Sequence, residues 1–393
     1  MIIQSKNVWI NEQFQPAQVE VSEQRIVAIL PYNEKAVDKE YGEKRILPGF
    51  IDIHDHGWHG GDANHANHEF IKEWQAYLPE EGITAFLPTT STTFPKDLEH
   101  SFEVIGSFIE EDQGTNGAQI LGIHAEGPMI SEEFRGSHNP ELLVKPSVET
   151  FKKWQELAKG HIKLMTLAPE NDVENALTTY CHEHDVVISI GHTAATYEQA
   201  MAAVEAGAKS FTHTFNGMED ISHRKPTAVV AALDSEETFA EIIADGVHVD
   251  YSLVRVLAKL KGKDYLIAVT DSIWAKGCQP GVYPKPEKGI EMVIDEQNVV
   301  RLANGKLAGS TNHLNNMVRN LVEKALLPEV IAINSVTKNP ARLLNVNESM
   351  GEIKLGLLGN FTIIDEKYEV LETLVNGETV YKSRRSLIGG KKC

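Results

Sequence analysis

The chain has 393 residues, of which 42% are hydrophobic and 24% are charged. This composition lies near the average for soluble globular proteins, so it excludes disordered, collagen-like and coiled-coil chains. The formal net charge of −19 at pH 7 argues against a general attraction to nucleic acid or to an anionic membrane, because both require an excess of Lys and Arg. Any anionic ligand must therefore meet a local basic pocket.

The N-terminus and the cysteines bear on the location of the protein. Residues 1–14 alternate apolar and polar side chains and lack the basic and apolar regions of a signal peptide. No apolar run approaches the roughly 20 residues that span a bilayer. The three cysteines, Cys181, Cys278 and Cys393, form no CxxC pair, which fits a reducing compartment. We predict a cytoplasmic protein with no membrane and no nucleic acid partner.

The two ends of the chain share a β-rich texture. Short alternating runs separated by polar turns occupy residues 1–45, and short runs with glycine turns occupy residues 351–382. These patterns predict strands at both ends, which could share one sheet.

Between the ends, apolar runs recur and helical stretches follow them. The runs are ITAFLPTT, QILGIHAEG, IKLMTLAPE, VVISIGHT, SFTHTFNG, FAEIIADG and YLIAVTDS. Such strands, alternating with helices predicted from Thr196 to Glu205 and from Leu314 to Lys324, indicate a parallel sheet that is buried on both faces. A Rossmann sheet would need a GxGxxG turn, which the sequence lacks.

Polar residues at or just past the strand ends favour a (β/α)8 barrel, whose catalytic face lies there. These residues are His54, Glu126, His192, His213, His248 and Asp271.

A group of these residues has the chemistry of metal ligands. His54 and His56 lie two apart in ILPGFIDIHDHG, so both side chains point to one face of a strand. An HxH pair alone is more often surface or core histidine, but the apolar strand and its proline-glycine entry favour metal. Glu126 ends the run GIHAEGP, where a buried carboxylate needs an ion pair, a helix cap or a cation. His192 and His213 end consecutive strands, and neutral imidazole is the commonest ligand of zinc or iron.

Asp271 ends the run YLIAVTDS and is the predicted general base. A carboxylate beside an activated water can accept its proton and pass it to a leaving nitrogen. The alternative, a solvent-exposed turn aspartate, is disfavoured by the preceding apolar run. His124 lies two residues before Glu126 on the same strand face, so it could support the ligands.

Six motifs carry a resemblance to a known family. PGFIDIHDHG, HAEGP, GHT, THTFNGM, DGVHV and VTDS occur in an order and at intervals that resemble the N-acetylglucosamine-6-phosphate deacetylases of the amidohydrolase superfamily. The likeness covers nearly the whole chain and includes LAGSTNHLNNMVRNLVE, NPARLL and GEIKLGLLGNFTIID. It implies metal-dependent hydrolysis of the acetamide of N-acetyl-D-glucosamine 6-phosphate to glucosamine 6-phosphate and acetate.

The resemblance also implies an architecture. It predicts an α/β protein with a (β/α)8 TIM-like catalytic barrel over residues 48–351. A small β-sandwich domain is expected from both termini, residues 1–47 and 352–385. A homodimer is expected.

The resemblance further implies the roles of individual residues. Glu126, His192 and His213 correspond to the ligands of the principal metal ion, and Asp271 to the general acid/base group. The pair His54 and His56 corresponds to a variant of the family with a second ion. One or two divalent ions, zinc or iron, are therefore expected per subunit.

Contacts with the amino-sugar phosphate follow from the same likeness. Asn216 and Gly217 in TFNGM resemble the loop that meets the phosphate, and Arg224 resembles the phosphate-binding arginine, whose guanidinium can bind in a bidentate manner. His248 resembles a sugar or phosphate contact. His138 in RGSHNP is predicted to steady the substrate or a lid, with a solvated loop histidine as the plain alternative.

Two segments depart from the family pattern. IWAKGC follows VTDS and brings Trp274 near Asp271, and GSTNHLNNM puts Asn312 and His313 where a smaller or apolar residue is frequent. Both segments are expected to line the sugar pocket, so the hexosamine stays open. The alternatives are N-acetylgalactosamine 6-phosphate as substrate, an amidohydrolase acting on a cyclic amide or an acylated amino acid, and a catalytically silent binding protein of this fold.

Overall fold

The structure of the protein is a computed structural model that describes residues 1–112, 117–284 and 291–383. Its first elements are strands of a sheet built by the chain termini. They are β1 (Ile2–Ile10), β2 (Gln13–Ser22), β3 (Arg25–Pro31), β4 (Lys39–Glu40) and β5 (Arg45–Pro48). The strands β1, β2 and β3 pair antiparallel in chain order, and β5 lies parallel to β1.

Strands and helices then alternate through the middle of the chain. Up to the second long helix, the elements are β6 (Phe50–Asp55), β7 (Gly57–Trp58), β8 (Gly61–Asp62), α1 (His68–Tyr77), β9 (Ile83–Thr90) and α2 (Pro95–Glu111). The elements that follow are β10 (Gln119–Ile120), β11 (Ile123–Glu126), α3 (Val148–Leu157), β12 (Ile162–Leu167), α4 (Ala176–Glu183), β13 (Val187–Ile190), α5 (Tyr197–Glu205), β14 (Ser210–Phe211), α6 (Ala228–Asp234), β15 (Phe239–Ile242), α7 (Tyr251–Tyr265) and β16 (Leu266–Ala268).

Eight of these strands form a closed parallel barrel. Their order is β6, β9, β11, β12, β13, β14, β15 and β16, and β10 adds to β9. A parallel bridge between Asp55 and Ser272 joins the last strand back to the first. At this seam the amide of Asp271 donates to the carbonyl of His54 at 2.9 Å, and the amide of His56 donates to Ser272 at 2.7 Å. The predicted (β/α)8 fold is confirmed.

The local sequence explains several of these elements. Every residue of β9, ITAFLPTT, is buried, as expected for a parallel strand with neighbours and helices on both sides. The helix α5 begins one residue later than predicted because Thr196 is its N-cap, with a capping box to Gln199.

A small three-stranded sheet, which the sequence patterns did not reveal, follows the barrel strands. It consists of β17 (Gly281–Pro284), β18 (Glu291–Ile294) and β19 (Val300–Leu302), paired antiparallel. Its apolar side chains form a separate cluster that includes Met292 and Ala308, and both of these also line the main cavity.

The remaining elements complete the barrel wall and the terminal sheet. They are α8 (Leu314–Glu323), α9 (Glu329–Ser335), α10 (Lys338–Leu343), β20 (Phe361–Ile364), β21 (Val370–Val375) and β22 (Glu378–Lys382). The strand β20 pairs antiparallel with β5, so the two ends of the chain do share one mostly antiparallel sheet of eight strands. An apolar core with Ile3, Ile46 and Phe361 lies against it.

The division of the chain at residues 47/48 and 351/352 stays a proposal. Residues 384 and 385 of the proposed terminal domain lie outside the described residues, as does Cys393. Across residues 1–112, 117–284 and 291–383, no helix has the length and apolar character to cross a membrane.

Candidate active site

A cavity of about 360 Å³ opens at the carboxyl ends of the barrel strands, where β/α barrels carry their active sites. Its volume lies within the range of small-molecule sites. Residues singled out from the sequence line this cavity: His56, Glu126, His138, His192, His213, Asn216, Gly217, His248, Asp271 and Trp274.

Glu126, at the end of β11, is the centre of the polar cluster. Five histidine Nε2 atoms lie around its carboxylate, at distances between 3.1 and 3.4 Å: those of His54, His56, His138, His192 and His213. The carboxylate is almost completely buried. A buried carboxylate surrounded by this many imidazoles is the arrangement expected of a metal-binding centre.

The second ring nitrogen of four of these histidines is held by an acceptor. His54 Nδ1 donates to the Glu241 carboxylate at 3.0 Å. The Nδ1 atoms of His56, His192 and His213 donate to backbone carbonyls at 2.9, 2.7 and 3.0 Å. Because Nδ1 carries the proton, a neutral ring presents the lone pair of Nε2 to the cavity, as a metal ligand must.

His138 differs from the other four histidines. The backbone N–H of Thr92 donates to His138 Nδ1 at 3.2 Å, and the Thr92 hydroxyl lies 2.7 Å from the same atom. With Nδ1 accepting, the proton of a neutral ring sits on Nε2. His138 is therefore suited to donate a hydrogen bond rather than to ligate a metal ion, although its Nε2 lies among possible ligand atoms.

Asp271 faces the same cluster across the barrel seam. Its Oδ1 lies 3.5 Å from His54 Nε2 and 3.3 Å from His56 Nε2. Its backbone has a φ of +48°, and His192 and His213 also have positive φ values, of +48° and +28°. Non-glycine residues held in this region carry backbone strain, which clusters at functional sites.

The electrostatics of the cluster favour a bound cation. Burial opposes ionisation of Glu126, but the charges of His54 and His192 hold its pKa well below the usual value. Burial likewise opposes ionisation of Asp271, and the imidazoles of His54 and His56 hold its pKa below the usual value. Against the cost of burial, the same two carboxylates raise the pKa of His54 well above the usual value. A field that attracts protons to Nε2 also attracts a divalent ion, which replaces those protons on binding.

The donor set fits a divalent metal ion. Four imidazole nitrogens with fixed tautomers converge on one ionised carboxylate, and groups such as His54, His56 and Glu126 bring their ligand atoms within 4.8 Å of one another. Nitrogen and carboxylate donors of this kind bind zinc, iron and related ions.

Glu241 is a site residue that the sequence reasoning missed. Its Oε2 accepts both the Nδ1 proton of His54 and the backbone N–H of His213, at 3.0 and 3.2 Å. The available signal was an acidic residue within the apolar run FAEIIADG, since a fully buried strand tolerates a carboxylate only with partners. His124 is also buried beside the cluster, with its ring nitrogens bonded to the Ile53 carbonyl and the Thr166 hydroxyl.

The expected substrate contacts fall into two groups. Asn216, Gly217 and His248 line the cavity. Gly217 has a φ of +63°, and a Cβ there would lie 2.7 Å from His192 Nδ1, so only glycine fits at this position. Arg224 is exposed on the loop that follows and is not among the described residues that line the cavity.

The two departures from the family pattern also separate. Trp274 lines the cavity. Asn312, contrary to expectation, is not among the described residues that line the cavity, and its Nδ2 donates to the Asp245 carboxylate at 3.0 Å. His313 lies outside the cavity lining and has its Nδ1 3.5 Å from Glu81.

The family model of the Amidohydrolase family matches residues 45–380. The chain belongs to the amidohydrolase family. It is 35% identical over 343 residues to N-acetylglucosamine-6-phosphate deacetylase of Bacillus subtilis (strain 168), covering 87% of this chain and 86% of that protein. It is 29% identical over 361 residues to N-acetylgalactosamine-6-phosphate deacetylase of Escherichia coli O157:H7, covering 92% and 94%. The amidohydrolase is thus a hydrolase that acts on an amide bond.

A solved structure extends the likeness to three dimensions. The structure of a mutant of Mycobacterium smegmatis N-acetyl-D-glucosamine-6-phosphate deacetylase, in complex with N-acetyl-D-glucosamine-6-phosphate, matches with a TM-score of 0.90 and 29% identity. The match covers 97% of this amidohydrolase and 99% of that chain.

Proposed function

We propose that this amidohydrolase removes the acetyl group of N-acetyl-D-glucosamine 6-phosphate, which yields glucosamine 6-phosphate and acetate. The observation that carries the proposal is the convergence of four Nε2 atoms on Glu126, with Asp271 beside them, in a cavity of small-molecule size. The relative from Bacillus subtilis supports this substrate. The relative from Escherichia coli supports the galactosamine epimer as the alternative.

We further propose one or two divalent ions, zinc or iron, per subunit, and Glu126 would be a ligand of the principal ion. His192 and His213 would also hold this ion, and His54 and His56 would hold the second. Ions at such a site supply Lewis acidity, which polarises a carbonyl and lowers the pKa of water.

The side chains of the protein carry the proton transfers and the binding. Asp271 is ionised, so it can accept a proton from the attacking water and deliver it to the departing amine nitrogen. His138 can donate from Nε2 to a substrate oxygen. Asn216 and the backbone at Gly217 would meet the phosphate.

Arg224 is the proposed ionic partner of the phosphate. It lies seven residues after Gly217, on the loop that leaves the cavity wall. Its guanidinium would supply the local positive charge that an acidic protein needs for an anionic substrate.

We also propose a cytoplasmic location, on the grounds of the three cysteines without a CxxC pair, and a homodimer, on the grounds of the family likeness. Size-exclusion chromatography with light scattering would measure the subunit number directly.

Acetate release tests the proposed function. Purified protein loaded with zinc is assayed on the 6-phosphates of N-acetylglucosamine and N-acetylgalactosamine, with and without a chelator. We expect chelator-sensitive acetate release with a higher kcat/KM on the gluco epimer. A higher kcat/KM on the galacto epimer would establish the alternative, and no release from either by metal-replete protein would favour a silent binding protein.

A further inference from the structure

A hydrogen-bonded group of side chains near the Glu126–histidine cluster has no part in the proton transfers proposed above. Asp245 and His248 lie between β15 and α7, and Asn312 lies just before α8. His248 Nδ1 donates to Asp245 Oδ2 at 2.7 Å, and Asn312 Nδ2 donates to the same oxygen at 3.0 Å. All three residues are therefore linked through one carboxylate.

The Asp245 carboxylate is held rigidly by four donors. Its Oδ1 accepts the backbone N–H groups of Val247 and His248, both at 2.8 Å. Its Oδ2 accepts the side chains of His248 and Asn312. An ionised carboxylate has acceptor sites for all four of these bonds and no donor, so the His248 proton facing it must lie on Nδ1.

The other nitrogen of His248 is directed away from this group. His248 lines the cavity. Its Nε2 is buried and makes no hydrogen bond of good geometry among the described residues, although the Gly309 carbonyl lies near the ring. Burial opposes protonation of the ring, but the hydrogen bond and charge of Asp245 raise the pKa of His248 above its usual value. With Nδ1 bonded to Asp245, Nε2 is the ring nitrogen left for a substrate: it accepts a hydrogen bond when the ring is neutral and donates one when the ring is protonated.

We propose that Asp245 and Asn312 are positioning residues that orient the His248 ring, so that its Nε2 faces the sugar phosphate in the cavity. The substrate part of this inference rests on the proposed function. Asn312 stands where the likeness to the family leads one to expect a smaller or apolar residue. The second donor to Asp245 is therefore a feature of this chain.

The variant Asn312→Leu tests the inference. It keeps the side-chain size and removes one hydrogen bond to a charged group, so we expect kcat/KM to fall by about tenfold. Asn316→Leu, the same exchange at a half-buried position on α8, is the matched control and should leave kcat/KM unchanged. Thermal denaturation of both variants checks that they are folded.

A double-mutant cycle separates positioning from a general structural effect. If Asn312 acts through His248, then Asn312→Leu should have no further effect on kcat/KM in a His248→Ala background. If the two losses multiply, Asn312 does not act through His248 and the inference is wrong.

A substrate-free measurement separates this inference from the proposed function. In zinc-loaded protein with ¹⁵N-labelled histidine, we expect a solvent-protected Nδ1–H resonance that disappears in His248→Ala, shifts in Asn312→Leu and stays in place in Asn316→Leu. An unchanged resonance in Asn312→Leu would overturn the positioning role. The expected shift, in a protein that releases no acetate from either sugar, would overturn the proposed function and leave the orientation of His248 supported.

Discussion

Replacing Glu241 by Gln should weaken metal binding at the His54 and His56 position. One oxygen of Glu241 accepts both of its hydrogen bonds, from His54 Nδ1 and from the His213 amide, and the other oxygen, Oε1, is buried without a hydrogen-bond partner among the described residues. A glutamine can keep both bonds and place its amide nitrogen at the Oε1 position. The exchange therefore removes the charge behind His54 and leaves the geometry in place.

We expect the dissociation constant of an ion at the His54 and His56 position to rise about tenfold. This rise corresponds to about 1.4 kcal/mol of binding free energy. This is the low end of the roughly 10- to 100-fold effect of removing such an outer partner, because only charge assistance is lost. Glu241→Ala also removes both hydrogen bonds, so we expect a loss nearer to 100-fold. The affinity for an ion at the proposed site of His192 and His213 should be little affected by the glutamine variant.

Competition with a chromophoric zinc chelator measures both dissociation constants, and elemental analysis gives the number of ions. Glu205→Gln, an exposed exchange at the end of α5, is the matched control. Wild-type affinity for both ions in Glu241→Gln and in Glu241→Ala would refute the role assigned to Glu241.

Four further outcomes are expected. Asp271→Asn should lower kcat by about 10²- to 10⁴-fold while zinc is retained, and unchanged activity would exclude it as the proton carrier. Removing metal with a chelator should lower the thermal midpoint, which zinc should restore, because the ion binds only the folded site. Arg224→Gln should raise KM for the phosphorylated sugar and not for N-acetylglucosamine, whereas Lys225→Gln on the same loop should change neither. Burial lowers the pKa of Lys261 to about 8, so the unfolded chain keeps this proton to a higher pH than the folded protein. Between pH 8 and about 10.4, the free energy of unfolding should therefore rise by about 3 kcal/mol relative to Lys261→Met. Denaturant titration at each pH measures this difference.

The barrel could be predicted because its signal is repeated. A strand such as ITAFLPTT is buried on both faces, so its apolar run is continuous, and polar residues at the ends of such strands meet on one face. That geometry brings Glu126, His192 and Asp271 together from distant parts of the chain. Their roles as metal ligands and general base stay predictions.

Other features had weak or misleading signals. The strands β17 to β19 are only three or four described residues long, too short for alternation to stand out. The role of Glu241 could not be predicted because an apolar strand is expected to supply core residues. Its two hydrogen-bond partners, His54 Nδ1 and the His213 amide, come from other parts of the chain. The exposure of Arg224 depends on the path of its loop, which no local pattern specifies.

The seam of the barrel has a consequence for the order in which the site is made. Asp55 and Ser272, which close the ring, are 217 residues apart. His54 and His56 therefore leave the ribosome long before Asp271. The hydrogen bonds that place these histidines beside Asp271 form only after the last barrel strand has been synthesised. A nascent chain that ends before this point holds an incomplete set of donors. Metal bound to the full set of donors would stabilise the closed barrel. Fragments from the N-terminal half of the chain should bind the ion weakly.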